Sequence, residues 1–290
     1  MKAAMIHIGN LFFKYRNQAF PLIIVTLFLM TLPPSEIGGS VTAERVKDVV
    51  ALLILLAGLA LRATVIGYAY IQRGGLKKRV YAADLVTEGM FGVCRNPLFV
   101  GNMLIYAAVF LLHGNPMVVV VGIALFMLIY QCIVHAEEAF LENKFGDAYR
   151  AYCADVPRWM LRFGNFALAT HGMVFNAKRV IAKDYSTVSA ALLAVLLIEI
   201  YGVAGAANAL SLPYLSLLVF FVAVVGAATG MVSLLKKRGV FNEATAACRA
   251  RAKFLQSRSL RNGFVTTPLP NRGGKHYISH AGPRAGYGDK

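Results

Sequence analysis

Apolar residues along this chain gather into six runs: Ala19 to Pro33, Val49 to Ile71, Leu98 to Leu112, Met117 to Val134, Thr187 to Ala204 and Pro213 to Leu235. A bilayer core of about 30 Å takes roughly 17 to 25 mainly apolar residues per helix. The pattern therefore predicts an all-α, polytopic membrane bundle of about six helices. The first and third runs are short for a full span, a deficit that tilt or local bilayer thinning accommodates. The third and fourth runs are separated only by His113-Gly114-Asn115-Pro116, a composition that favours a tight turn. These two runs form a helical hairpin, which brings Gly89–Asn102 and His135–Tyr149 together at its foot.

Composition agrees with the pattern. Hydrophobic residues make up 58% of the chain and charged residues 15%, with a mean hydropathy of +0.59, values far from those of a water-soluble globule. The first run begins after Lys14-Tyr15-Arg16 and ends in Leu32-Pro33-Pro34 without a small-residue cleavage pattern, so it reads as a retained helix. With the N-terminus cytoplasmic, the inner segments hold Arg73, Lys77, Lys78, Arg79, Arg95, Lys144, Arg150, Arg158, Arg162, Lys178, Arg179 and Lys183. The outer loops then hold only Arg45 and Lys47. The expected location is an integral protein of a bacterial inner membrane with both termini cytoplasmic.

From Lys236 onward, twelve Lys and Arg stand against Glu243 and Asp289, a net +10 of the chain's formal +16. From about Ser257 this segment is rich in Gly, Arg, Asn, Ser and Pro and is expected to be disordered. Its charge suits an anionic membrane surface. It contains no recognisable nucleic-acid-binding module, so no nucleic-acid partner is expected. Cys94, Cys132, Cys153 and Cys248 form no Cys-x-x-Cys pair, and the six histidines form no His-x-x-x-His pair, so neither disulfides nor a metal site is expected.

The chemistry concentrates at the hairpin foot. Gly89 and Gly92 permit close backbone approach, Pro97 stops a helix from running back into the loop, and Arg95 offers a planar fork suited to a carboxylate. Taken alone, such an arginine is equally an anchor on the positive side of a membrane. Glu137 and Glu138 add weight, because paired carboxylates at the C-terminal end of a membrane helix oppose its dipole. Either the helix continues, as the spacing of Phe140, Leu141, Phe145, Tyr149 and Tyr152 suggests, or the acids hold a cationic ligand.

The order Gly-x-Phe-x-x-x-Arg-Asn-Pro-x-Phe-x-Gly, a hairpin, Glu-Glu-x-x-Leu-x-x-x-Phe-Gly-x-x-Tyr-x-x-Tyr and Val156-Pro157-Arg158 resembles the isoprenylcysteine carboxyl methyltransferase and phospholipid methyltransferase superfamily. The resemblance covers roughly Leu85 to Trp159. It implies S-adenosylmethionine as methyl donor, held on the cytoplasmic side by Gly92, Arg95, Asn96, Pro97, Phe99, Gly101, Glu137 and Glu138. His135, Glu138 and Tyr149 are the nearest proton acceptors or positioning groups. The donor's carboxylate, ammonium, ribose, adenine and sulfonium suit one arginine, paired acids and aromatic rings. No Gly-x-Gly-x-x-Gly of the soluble dinucleotide-binding type is present.

Two positions depart from the family pattern, which commonly has histidine where this chain has Asn96 and tyrosine where it has Phe99. Phe99 offers no hydroxyl. Arg62 and Glu199 lie within apolar runs and must face protein, water or each other. The expected organisation is N-terminal membrane helices over 1–84, a methyltransferase core over 85–160, a connecting segment with two further membrane helices over 161–235, and the basic tail over 236–290. The expected acceptor is a lipid, isoprenoid-like or other amphiphilic molecule. A nicotinamide-dependent membrane reductase and a non-catalytic membrane scaffold remain the alternatives.

Overall fold

The computed structural model describes residues 2–34, 36–68, 85–205 and 212–241. The inner-loop cations Arg73, Lys77, Lys78 and Arg79, the end of the second run, Cys248 and the basic tail beyond Phe241 lie outside the described residues. Among the described residues there are nine α-helices: α1 (Lys2–Leu29), α2 (Val41–Tyr68), α3 (Met90–Val93), α4 (Pro97–His113), α5 (Pro116–Phe145), α6 (Asp147–Asp155), α7 (Phe166–Ala169), α8 (Ala177–Gly205) and α9 (Leu212–Lys237). The class is all-α, as the pattern predicts.

By length and composition α2, α5, α8 and α9 are capable of crossing a membrane. The shorter apolar helix α4 has 17 residues, about 25 Å at 1.5 Å per residue. The chain is thus an integral membrane protein, with four helices among the described residues long and apolar enough to span. Exposed Leu22, Leu53, Leu56, Val120, Leu128, Phe220 and Phe221 cover the outside of the bundle. In water such a surface would drive association, whereas in hydrocarbon it is an ordinary contact surface.

Helix α1 differs from the sequence expectation. It extends upstream through Lys14, Tyr15 and Arg16 to Lys2 instead of beginning near Ala19, and it contains Pro21. The reason is packing: Phe13 and Phe20 are buried with Phe126, Ile129, Tyr130 and Ile133 of α5, so the apolar face of α1 continues past its cations. Gly9 permits the approach, since a Cβ there would run into the Cys132 carbonyl of α5. Close backbone contact at small residues is the usual means of helix association in membranes.

The same device joins α2 to α4. A Cβ on Gly101 would lie 2.7 Å from Arg62 Cγ and 3.1 Å from the Gly58 carbonyl. The α4–α5 turn is built as its residues suggest. Gly114 takes φ 79°, the Asn115 side chain accepts from the Met117 amide at 3.0 Å, and Pro116 opens α5. Helix α8 packs on α2 and α4, and α9 packs on α8.

Candidate active site at the hairpin foot

The loop before α4 is held by a strap that follows α6. The Arg95 amide donates to the Pro157 carbonyl at 2.9 Å, the Arg162 amide to Val93 at 3.2 Å, and the Gly89 amide to Ala169 at 2.7 Å. The Asn96 side-chain amide and the Cys94 thiol both donate to the Arg158 carbonyl, at 3.2 and 3.4 Å. The buried Tyr152 hydroxyl donates to the Phe91 carbonyl at 2.7 Å. Gly89 has φ 64°, and a Cβ on Gly92 would lie 3.0 Å from that of Ala169, so both glycines serve the fit of loop to strap. Burial pushes the Cys94 thiol above its ordinary pKa, which makes it an inert packing group.

Helix α5 continues without a break through both acids to Phe145, as the apolar spacing suggested. Glu137 and Glu138 are about 100° apart around that helix and have different surroundings. Glu138 accepts from Arg158 Nη2 at 2.6 Å and Nε at 3.0 Å, and lies 3.4 Å from Arg95 Nη1. Glu137 has no ion pair among the described residues and lines a cavity of about 590 Å3. Arg95, Asn96 and Phe99 line the same cavity. Residues of the two motifs, 42 positions apart at Arg95 and Glu137, therefore line one cavity.

Arg95 Nη1 donates to Cys153 Sγ at 2.6 Å, whereas its Nε is buried without a hydrogen-bond partner. The Nε edge of the guanidinium is the part left to engage a ligand. Burial opposes the Arg95 charge, but neighbouring Glu138 and Cys153 outweigh it and raise the pKa. Tyr149 stands behind this pair. Burial, and then the Glu138 carboxylate, push its phenol well above the ordinary tyrosine value, so it stays protonated and is unsuited to accept a proton.

The remaining sequence candidates lie elsewhere. His135 Nε2 is 3.1 Å from the Gln131 amide nitrogen, and Gln131 accepts from the Trp159 indole at 3.2 Å, so this histidine belongs to a polar chain on the Glu138 face of α5. Pro97 is buried at the start of α4, and Gly101 serves the α2–α4 contact.

The cavity also contains groups that the motifs did not identify. Arg16 and Asn17 reach it from α1, Tyr106 and Tyr130 from the hairpin, and Thr187 from α8. Pro21 lacks an amide hydrogen, so the Asn17 carbonyl lacks its i+4 donor. Phe99 packs 5.5 Å from Tyr130, so a phenol borders the position where the family pattern has its tyrosine. Arg62 pairs with Asp184 of α8 and not with Glu199, which instead accepts from the Tyr214 hydroxyl at 2.7 Å. Arg62 also donates to Asn102 and to Thr187, the latter at 3.1 Å. Asp184 carries no local signal in the sequence; its partner is 122 residues away. Among the described residues no cluster of His, Cys, Asp and Glu could hold a metal ion.

No curated protein and no solved structure matches the chain. Residues 47–148, which include most of α2 and all of α4 and α5, match the model of the phospholipid methyltransferase family, part of the superfamily that the Arg-Asn-Pro and Glu-Glu motifs resemble, and at family level they support a membrane methyltransferase.

Proposed function

We propose that the protein is an S-adenosylmethionine-dependent methyltransferase acting on an amphiphilic acceptor from the cytoplasmic side of the membrane. The observation that carries this reading is that Arg95, Asn96, Phe99 and Glu137 line one cavity. The donor set fits the methyl donor: an arginine edge for its carboxylate, an unpaired carboxylate for its ammonium or ribose hydroxyls, and aromatic rings for a sulfonium. Bound there, S-adenosylmethionine supplies an electrophilic methyl group on sulfur.

Arg95, Asn96, Phe99 and Glu137 would hold the donor, whose methyl group would then be open to displacement from sulfur by an acceptor lone pair. The chain's own part is alignment and exclusion of water, which supply much of the acceleration in such a displacement. Glu138 positions Arg95 and is itself held by Arg158. For an acceptor that must lose a proton, Glu137 is the carboxylate on the cavity wall. Placing this end of the bundle in the cytoplasm follows from the Lys and Arg bias.

Calorimetric titration of detergent-purified protein with S-adenosylmethionine, S-adenosylhomocysteine and a nicotinamide dinucleotide tests the reading. Binding of both sulfur ligands, weakened in a folded Glu137→Ala variant, is the expected result. Binding of the dinucleotide alone would establish the reductase alternative.

A further inference from the structure

The strap from Val156 to Asn176 alternates side chains that pack inward with side chains that do not. Leu161, Phe166 and Ala169 pack on the core that includes Phe91 and Val93 of the Arg95 loop. Met160, Phe163 and Leu168, interleaved with them, are 75%, 62% and 82% exposed. In water such a cluster would drive association. Nor are these lipid-facing positions of a spanning helix: between α6 and α8 the chain forms only one 3-10 turn, Phe163–Asn165, and the four-residue α7. Backbone so irregular cannot enter hydrocarbon, where its N–H and C=O groups would lack partners. The depth open to the strap is the boundary between headgroups and acyl chains, which takes apolar side chains while the backbone stays within reach of water.

Charge selects the kind of surface. From Val156 to Lys183 the sequence has Arg158, Arg162, Lys178, Arg179 and Lys183 and neither Asp nor Glu. Arg158 is committed to Glu138, and Arg162 Nη1 donates to the Asp155 carbonyl at 3.2 Å. Lys178 and Lys183 are exposed near the start of α8, where the strap ends. Cations beside exposed apolar side chains, with no acid among them, complement an anionic headgroup layer. The same strap holds the loop before α4, through the amides of Arg95, Arg162 and Gly89 and through Asn96 and Cys94 on the Arg158 carbonyl. Whatever steadies the strap therefore steadies that loop.

We propose that the strap is an interfacial anchor: Met160, Phe163 and Leu168 enter the headgroup–acyl boundary of an anionic leaflet, Lys178 and Lys183 engage its phosphates, and the strap so held fixes the loop that carries Arg95. The occupant of this surface is the bilayer itself and not a further segment of the chain. The anchoring stands apart from the methyltransferase reading; only its effect on donor affinity rests on that reading. The strap lies beyond residues 47–148, outside the family match.

The test places a fluorescent reporter in the strap. Trp159 is the chain's only tryptophan, so Trp159→Phe gives a silent background for Phe163→Trp and, separately, Leu168→Trp in the full chain. In vesicles of phosphatidylcholine and phosphatidylglycerol, both reporters should be quenched by lipid brominated near the top of its acyl chains and shielded from aqueous acrylamide. Quenching by acrylamide alone would overturn the anchor. Shielding from both quenchers would put protein over the strap and overturn it as well. In nanodiscs, S-adenosylmethionine should bind several-fold more tightly with phosphatidylglycerol present than in phosphatidylcholine alone, and Lys178→Gln with Lys183→Gln should remove most of the difference. Phe163→Asp with Leu168→Asp should weaken donor binding, whereas Phe163→Leu with Leu168→Phe, which keeps the surface apolar, should not. Equal donor affinity in the two lipids would overturn the coupling of strap to loop. Absence of donor binding with bromine quenching intact would overturn the methyltransferase reading alone.

Discussion

At the scale of the residue, Glu137 and Glu138 have different tasks. Glu137 faces the cavity without an ion pair among the described residues, whereas Glu138 holds Arg158 and Arg95. Glu137→Ala is expected to weaken donor binding by about 1.5–3 kcal/mol, the range for a hydrogen bond to a charged group, with little change in thermal unfolding. Glu138→Ala should lower donor affinity and also lower the unfolding midpoint, because two guanidinium groups lose their shared carboxylate. Calorimetry paired with a melting curve separates the two; identical profiles would remove the distinction. Tyr149 adds a pH dependence. Its folded pKa is raised by burial and then by Glu138, so its contribution to stability is complete below the unfolded tyrosine value of about 10 and is lost as pH rises above it. Tyr149→Phe should therefore flatten the alkaline fall in stability measured by denaturation across pH.

At the scale of the element, α8 is tied to the hairpin by charge. Arg62 of α2 and Asp184 of α8 form a pair whose carboxylate is almost wholly buried. Removing one partner leaves an uncompensated charge, so Asp184→Ala should cost about 3–5 kcal/mol, whereas Arg62→Met with Asp184→Leu should recover most of it. Thermal unfolding of the singles and the double provides the cycle, and additivity would show that the pair is not coupled. The hairpin itself was legible in the sequence, because its turn residues and apolar runs are local signals. The Arg62–Asp184 pair was not, since nothing near Asp184 indicates a partner on a helix 122 residues away. Nor could adjacent Glu137 and Glu138 be told apart before the rotation of α5 against α4 was known. Lys14 and Arg16 read as flanking cations because the apolar face that continues past them exists only against α5.

At the scale of the molecule, the family match covers residues 47–148, yet α1 and α8 supply walls of the cavity. The segment from Lys236 onward carries a net +10, and we propose that it associates with anionic membrane surfaces. Each Lys or Arg near an anionic surface contributes on the order of 1 kcal/mol, and the attraction fades within a Debye length of about 10 Å at moderate salt. A chain ending after Phe241 retains every residue of the cavity. It should bind S-adenosylmethionine as the full chain does. Reconstituted in neutral vesicles, the full chain should capture added anionic vesicles at low salt and release them at high salt, while the truncated chain captures few at either. Loss of donor binding in a well-folded truncation would instead assign the tail a direct part in the site.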